Sequence, residues 1–177
     1  MTKEYSEAMV DIETLDVEAP SIVLSAGIVL FNLNDKDTAQ SLKGDRCLYT
    51  TINPTQQVEV GRSVSPSTVI WHFGQEHSSD TRTDGQDIRF QLYKLSEFIG
   101  DRKLWGNGSS FDNVILRNLF KQFDVPFTNY WNDQDLRTLK RLSGVKDGVE
   151  NKTPHNALAD AKAQVLSAQK YYKALKK

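Results

Sequence analysis

Ala8-Met9-Val10-Asp11-Ile12-Glu13-Thr14 sets two carboxylates two residues apart inside an apolar, strand-like run. Alternate side chains on a β-strand share a face, so Asp11 and Glu13 project together, with Cα atoms roughly 6.5–7 Å apart, while Val10 and Ile12 face the other way. Two anions that close resist ionising together unless a cation lies between them. Hard divalent cations such as Mg²⁺ are the natural partners of such an oxygen pair. Alone, an Asp-x-Glu triplet reads equally well as a solvated strand edge, because it arises by chance about once in a few hundred residues.

Two later segments add carboxylates. Asn107-Gly108-Ser109-Ser110-Phe111-Asp112 places Asp112 just past a short strand, at the start of a helix and on the same face as Ile115, Leu116 and Leu119. A lone Asp there also serves as a helix cap or dipole partner. His155-Asn-Ala-Leu-Ala-Asp160 puts an aspartate one turn inside an Ala-rich helix, an unfavourable interior position for Asp. Its neighbours Ala157, Ala159, Ala161 and Ala163 let another group approach closely. His155 precedes that helix on a connection, where an exposed loop histidine is an equal reading.

The elements that must position these groups follow from periodicity. Residues 21–31 are apolar on both alternating faces, the pattern of a central strand covered on both sides. Residues 46–52 read as a third strand of the same meander, after a turn at 32–37. Ser65-Pro66 opens a short helix, with Val69, Ile70 and Phe73 its apolar positions and core packing expected for Ile70 and Phe73. The polar stretch 75–86 reads as an exposed loop. Ile88, Leu92, Leu95 and Ile99 mark an amphipathic helix. Lys103–Trp105 is a short strand, and a helix from Ser110 or Asp112 closes before Pro126. Asp135 caps a helix over 136–142 that Gly144 stops. Leu158, Ala161, Val165, Ala168, Tyr172 and Leu175 form the stripe of a long last helix. An antiparallel start followed by strand–helix units gives an α/β fold with a mixed sheet flanked by helices.

At 177 residues the chain is expected to be one domain with a proper core. Apolar and charged contents of 38% and 25% are ordinary for a globular protein. A net charge of −1 argues against a polyanion binder held by bulk charge alone. Cys47 is the single cysteine and has no internal disulfide partner. No apolar run approaches the roughly 20 residues of a membrane span, and residues 1–7 lack a signal peptide's apolar segment. A cytoplasmic, non-membrane protein is expected, the host cytoplasm if phage-encoded. The sequence leaves a homodimer open.

The order Asp-x-Glu, Asn-x-x-x-Phe-Asp, His-x-x-x-x-Asp resembles the three motifs of the DEDDh 3′–5′ exonucleases of the ribonuclease-H-like superfamily, across Asp11 to Asp160. The phrases MVDIET, STVIWHF and DLRTL further resemble the phage-type DNA exonuclease A group and its bacterial exoribonuclease relatives. The resemblance implies a ribonuclease-H-like five-stranded sheet, an antiparallel meander followed by parallel strands, with helices on both faces. It implies two Mg²⁺ ions, with Mn²⁺ able to substitute. Asp11, Glu13 and Asp160 would hold the first, Asp11 would bridge to the second, and Asp112 would act largely through water. His155 would be the general base, swinging in when substrate is present, and nucleoside 5′-monophosphates would leave the 3′ end of single-stranded DNA or RNA. DNA is slightly favoured.

By the same resemblance Thr14 and Leu15 would meet the terminal nucleotide. Phe111 could stack on a base or sit in the core. Asn107 and Trp71 would flank the cleft, and Arg137, Lys140 and Arg141 form a basic face that is by default merely solvated. Asp16 and Glu18 depart from the family's usual run after the first motif and leave the strand's path open. An endonuclease of the wider superfamily and a non-catalytic binding domain are the other readings. His155 and the full set of four acids argue against each in turn. A P-loop nucleotide binder lacks its Gly-rich loop here.

Overall fold

The computed structural model describes residues 4–75, 86–151, 153 and 155–176. Its centre is a five-stranded sheet built from β1 (Glu7–Thr14), β2 (Val23–Phe31), β3 (Cys47–Thr51), β4 (Lys103–Gly106) and β5 (Asp133–Asp135), in the order β3-β2-β1-β4-β5. β1 pairs antiparallel with β2 and β2 with β3, while β4 runs parallel to β1 and to β5. This is the mixed sheet expected from three strands preceding the first strand–helix unit. All nine residues of β2 are buried, as its two apolar faces require.

Helices cover both faces. On one side, Val10 and Ile12 of β1 pack with Ile88, Leu92, Leu95 and Ile99 of α3 (Ile88–Ile99) and with Ile115, Leu116 and Leu119 of α4 (Asp112–Gln122). On the other, Met9 and Val29 pack with Leu136 of α5 (Leu136–Ser143) and with Ala161, Val165 and Ala168 of α6 (Ala157–Leu175). The odd-numbered face of β1, which carries Asp11 and Glu13, is therefore the α6 face. Caps fix the helix starts: the side chains of Asp87, Asp135 and Asn156 accept backbone N–H bonds from Arg89, Thr138 and Ala159. Gly144 ends α5 in the left-handed region, φ 68°. Among the described residues no helix is long and apolar enough to cross a membrane.

Several expectations need correction. Ile70 and Phe73 of α2 (Pro66–Phe73) are 71% and 86% exposed, not core. That helix has no buried residue and stands at the rim of the sheet. In α6 the buried stripe runs through Ala157, Ala161, Val165, Ala168 and Tyr171, and Leu175 is exposed. The stripe is thus turned by one residue at both ends. A short helix α1 (Pro54–Glu59) was not anticipated, because Val58, its one aliphatic residue beyond the leading proline, is exposed. Residues 76–85 of the expected polar loop lie outside the described residues.

One glycine decides how α6 sits. Gly27 lies in the middle of β2, opposite Asp11. A Cβ there would fall 2.3 Å from the backbone carbon of Ala157 and the backbone nitrogen of Leu158. Glycine inside a strand marks such a close backbone approach. Gly27→Ala is expected to destabilise the fold by about 3 kcal/mol or more, since neither backbone can yield cheaply. A denaturant midpoint unchanged from wild type would show that α6 can lift off β2 at no cost.

Candidate active site

Each acid is placed by a different element. Asp11 and Glu13 come from β1, Asp112 is the first residue of α4 after β4, and Asp160 lies in the first turn of α6. The contact at Gly27 brings that turn down on the sheet. One carboxylate oxygen from each of Asp11, Glu13 and Asp160 then lies within 4.8 Å of the others. Asp112 stands outside this trio. It is buried, and the backbone N–H groups of Ile12 and Asn107 favour its charged form.

The electrostatic result is severe. Burial, then the charges of Asp112 and Asp160, hold Asp11 well above the usual carboxylate range, against a hydrogen bond from Gln164 that lowers it. Burial, with Asp160 and Asp112, pushes Glu13 up to about 7. Burial likewise pushes Asp112 to about 7, although backbone N–H groups and the Arg137 charge oppose it. Hard oxygen donors crowded until they retain protons are the donor set that a hard divalent ion suits. The residues present therefore fit Mg²⁺ or Mn²⁺.

Two supporting side chains escaped the sequence reading. The Gln164 amide donates to Asp11 Oδ1 at 2.6 Å, and its own Oε1 is buried without a hydrogen-bond partner. Asn151 donates to Asp160 Oδ1 at 2.9 Å. Gln164 follows Asp160 by four residues, so a polar residue on the buried face of α6 was a usable signal. Asn151 carried none, because only the fold brings it near.

Beside Glu13 opens a cleft of about 410 Å³, walled by Thr14, Val17, Trp71, His72 and Phe111 among others. Phe111 both lines this cleft and packs on the core, so its two readings coexist. His72 Nε2 lies 2.9 Å from the Thr14 carbonyl oxygen and ties α2 to the end of β1. His155 adopts φ 64° and is half-buried, outside the carboxylate trio. Its ring meets Trp71 edge-on, with centroids 4.7 Å apart. Leu15 is half-buried, its backbone paired with Ile22 and Ser65, while the exposed Val17, passed over in the sequence, lines the cleft. Asn107 lies elsewhere, on a second cavity of about 270 Å³ that also reaches Arg137, Asp160 and Gln164.

Known structures share this fold. The zinc-bound E. coli ExoI–ssDNA complex superposes with a TM-score of 0.66 at 14% identity, over 94% of this chain and 40% of that one. S. pombe Pop2p in its Mg²⁺- and Mn²⁺-bound form gives 0.54 at 11% identity, over 96% and 82%. The nuclease domain of 3′hExo, a DEDDh family member bound to rAMP, gives 0.52 at 17%, over 94% and 91%. The chain thus spans less than half the length of the ExoI chain it matches. No curated protein sequence matches it.

The mixed five-stranded sheet, with acids clustered on β1 and α6, puts this chain in the fold class that these structures share. Within that class the chain belongs to the 3′–5′ exoribonuclease Rv2179c-like domain family, whose profile matches residues 6–172.

The raised carboxylates give a signed pH dependence. Glu13 and Asp112 hold protons up to about 7 when folded, against ordinary values of 4.5 and 3.8. Between those limits the folded chain binds more protons than the unfolded one, so their contribution favours folding in acid and is lost as pH rises through 7. In metal-free protein, Asp11→Asn is expected to raise Tm at pH 8 and to change it much less at pH 5. Mg²⁺ or Mn²⁺ should raise wild-type Tm at pH 8 more than that of the variant. Equal shifts at both pH values would mean that the acids do not repel.

Proposed function

We propose that this domain removes nucleotides singly from the 3′ end of single-stranded RNA and releases nucleoside 5′-monophosphates, with DNA the poorer substrate. The convergence of Asp11, Glu13 and Asp160 carries the reading. The description of the family as exoribonucleases moves the preference from DNA, slightly favoured on sequence, to RNA. In this reading Asp11, Glu13 and Asp160 would hold one divalent ion, and Asp11, with Asp112 acting largely through water, would serve a second. Such a pair would supply positive charge at both the entering and the departing oxygen of an in-line displacement.

The rest falls to the chain's own groups. His155 takes the proton of the attacking water, the work of a positioned general base. The 3′-terminal nucleoside occupies the cleft beside Glu13, where Trp71 and Phe111 offer ring faces to its base. Thr14 and Leu15 border the sugar. Gln164 and Asn151 fix the orientation of Asp11 and Asp160 by donating to them.

The test uses 5′-labelled RNA and DNA of one sequence, with Mg²⁺, Mn²⁺ or EDTA. The expected result is a one-nucleotide ladder descending from the 3′ end, faster on RNA and absent in EDTA. Internal cuts would move the protein to the endonucleases, and a faster DNA ladder would restore the DNA reading. His155→Ala is expected to lower kcat by about 10²–10⁴-fold while Mn²⁺ binding measured by calorimetry stays unchanged. Full activity in that variant would remove His155 from the reaction.

A further inference from the structure

Residues 136–146 carry Arg137, Lys140, Arg141 and Lys146 and no acid, in a chain whose net charge is −1. Among the described residues none of the four takes part in an ion pair. Elsewhere arginines are engaged: Arg46 pairs with Asp37 and Arg117 with Asp133. Unpaired cations gathered on one helix and its following turn make a local positive field that the overall charge conceals.

Their placement gives that field a direction. Arg137 and Lys140 line the 270 Å³ cavity that reaches Asp160 and Asn107. The same two residues, with Arg141 and Lys146, line an outer cavity of about 370 Å³. The two cavities share Arg137 and Lys140 as walls, and taken together as one groove they reach Asp160. The apolar cleft with Trp71 and Phe111 adjoins Glu13 and shares no wall residue with the groove. Arg137 is held at the inner end, 3.4 Å from where a Cβ on Gly108 would stand, and Gly108 adopts φ 111°.

We propose that this groove carries the phosphate backbone of the strand on the 5′ side of the scissile bond, and so makes the enzyme prefer oligonucleotides to dinucleotides. The proposal rests on the exonuclease reading, in which the terminal nucleoside fills the apolar cleft. The remaining strand must then leave by another route, and the groove offers a cation-lined one. Each phosphate neutralised there releases a counterion, so binding falls with salt by a slope of about 0.7 per contact for a single strand.

The test substitutes Lys140, Arg141 and Lys146 together by Ala. All three are exposed, and Arg137 is left intact because its charge acts on Asp112. For a single strand of about 16 nucleotides, kcat/KM is expected to fall by about 10–100-fold, chiefly through KM, and the salt slope to flatten by about 2. Hydrolysis of a dinucleotide should stay within about twofold. Lys140→Arg with Lys146→Arg should retain wild-type behaviour. Fluorescence anisotropy of the same labelled strand, with wild type and triple variant in EDTA, reads binding without catalysis. A weaker Kd for the variant is expected. Equal Kd values, or equal losses on long and short substrates, would overturn the groove. A wild type that binds through these residues but degrades nothing would instead overturn the exonuclease reading and leave the groove standing.

Discussion

The approach of α6 to the bare backbone of Gly27 is the contact on which the rest depends. Without a side chain at that position, the first turn of α6 lies against β2, and Asp160 is lowered to the acids of β1. Everything that follows is electrostatic. Three carboxylates from two elements far apart in sequence crowd together, and burial raises the cost of charge on Asp11 and Glu13. Folding therefore works against these acids, and the apolar packing on both sheet faces must outweigh that cost. Val10 and Ile12 lie on the same strand as Asp11 and Glu13, so the element that suffers the repulsion is also anchored by the main core.

How much of this the chain reveals before folding varies with the kind of interaction. Elements fixed by their own residues were legible: β2 from its unbroken apolar run, α3 from its spacing of four, three and four, α5 from its cap and stop, and α6 from its apolar stripe. The meeting of Asp11, Glu13 and Asp160 was legible because their order and settings are local too. β5 was not, since Asp133-Gln134-Asp135 has no strand preference and extends only because β4 offers it an edge. Ile70 and Phe73 misled because an apolar spacing says that a face exists, not that anything covers it. Asn151 was invisible, since nothing local ties it to Asp160, whereas Gln164 stood in plain view, one turn from that acid.

The surroundings of the carboxylates differ on their two sides, and a uniform composition hides the difference. Toward α2 the walls beyond Glu13 are aromatic and carry no Lys or Arg; toward α5 they are amide-rich and then cationic. A net charge of −1 thus conceals a concentrated negative centre and a separate positive ridge. Excluding nucleic-acid chemistry from the average would have been an error of scale, because fields act over the roughly 10 Å of a Debye length.

Asp135 links these regions in a way that bears on how the fold can diverge. One of its oxygens accepts the Thr138 N–H at 2.7 Å and caps α5; the other accepts the Ser109 N–H at 2.7 Å, in the loop leading to Asp112. Its carboxyl is held below the usual range by those bonds, although burial works against them. A single short side chain thereby registers the helix to the centre without any of the outward-facing residues of α5 taking part. Positions 140 and 141 take no part in that registration, whereas Arg137 stays tied to the centre through its charge on Asp112. Beyond that residue the helix behaves as a replaceable cassette on a fixed mount.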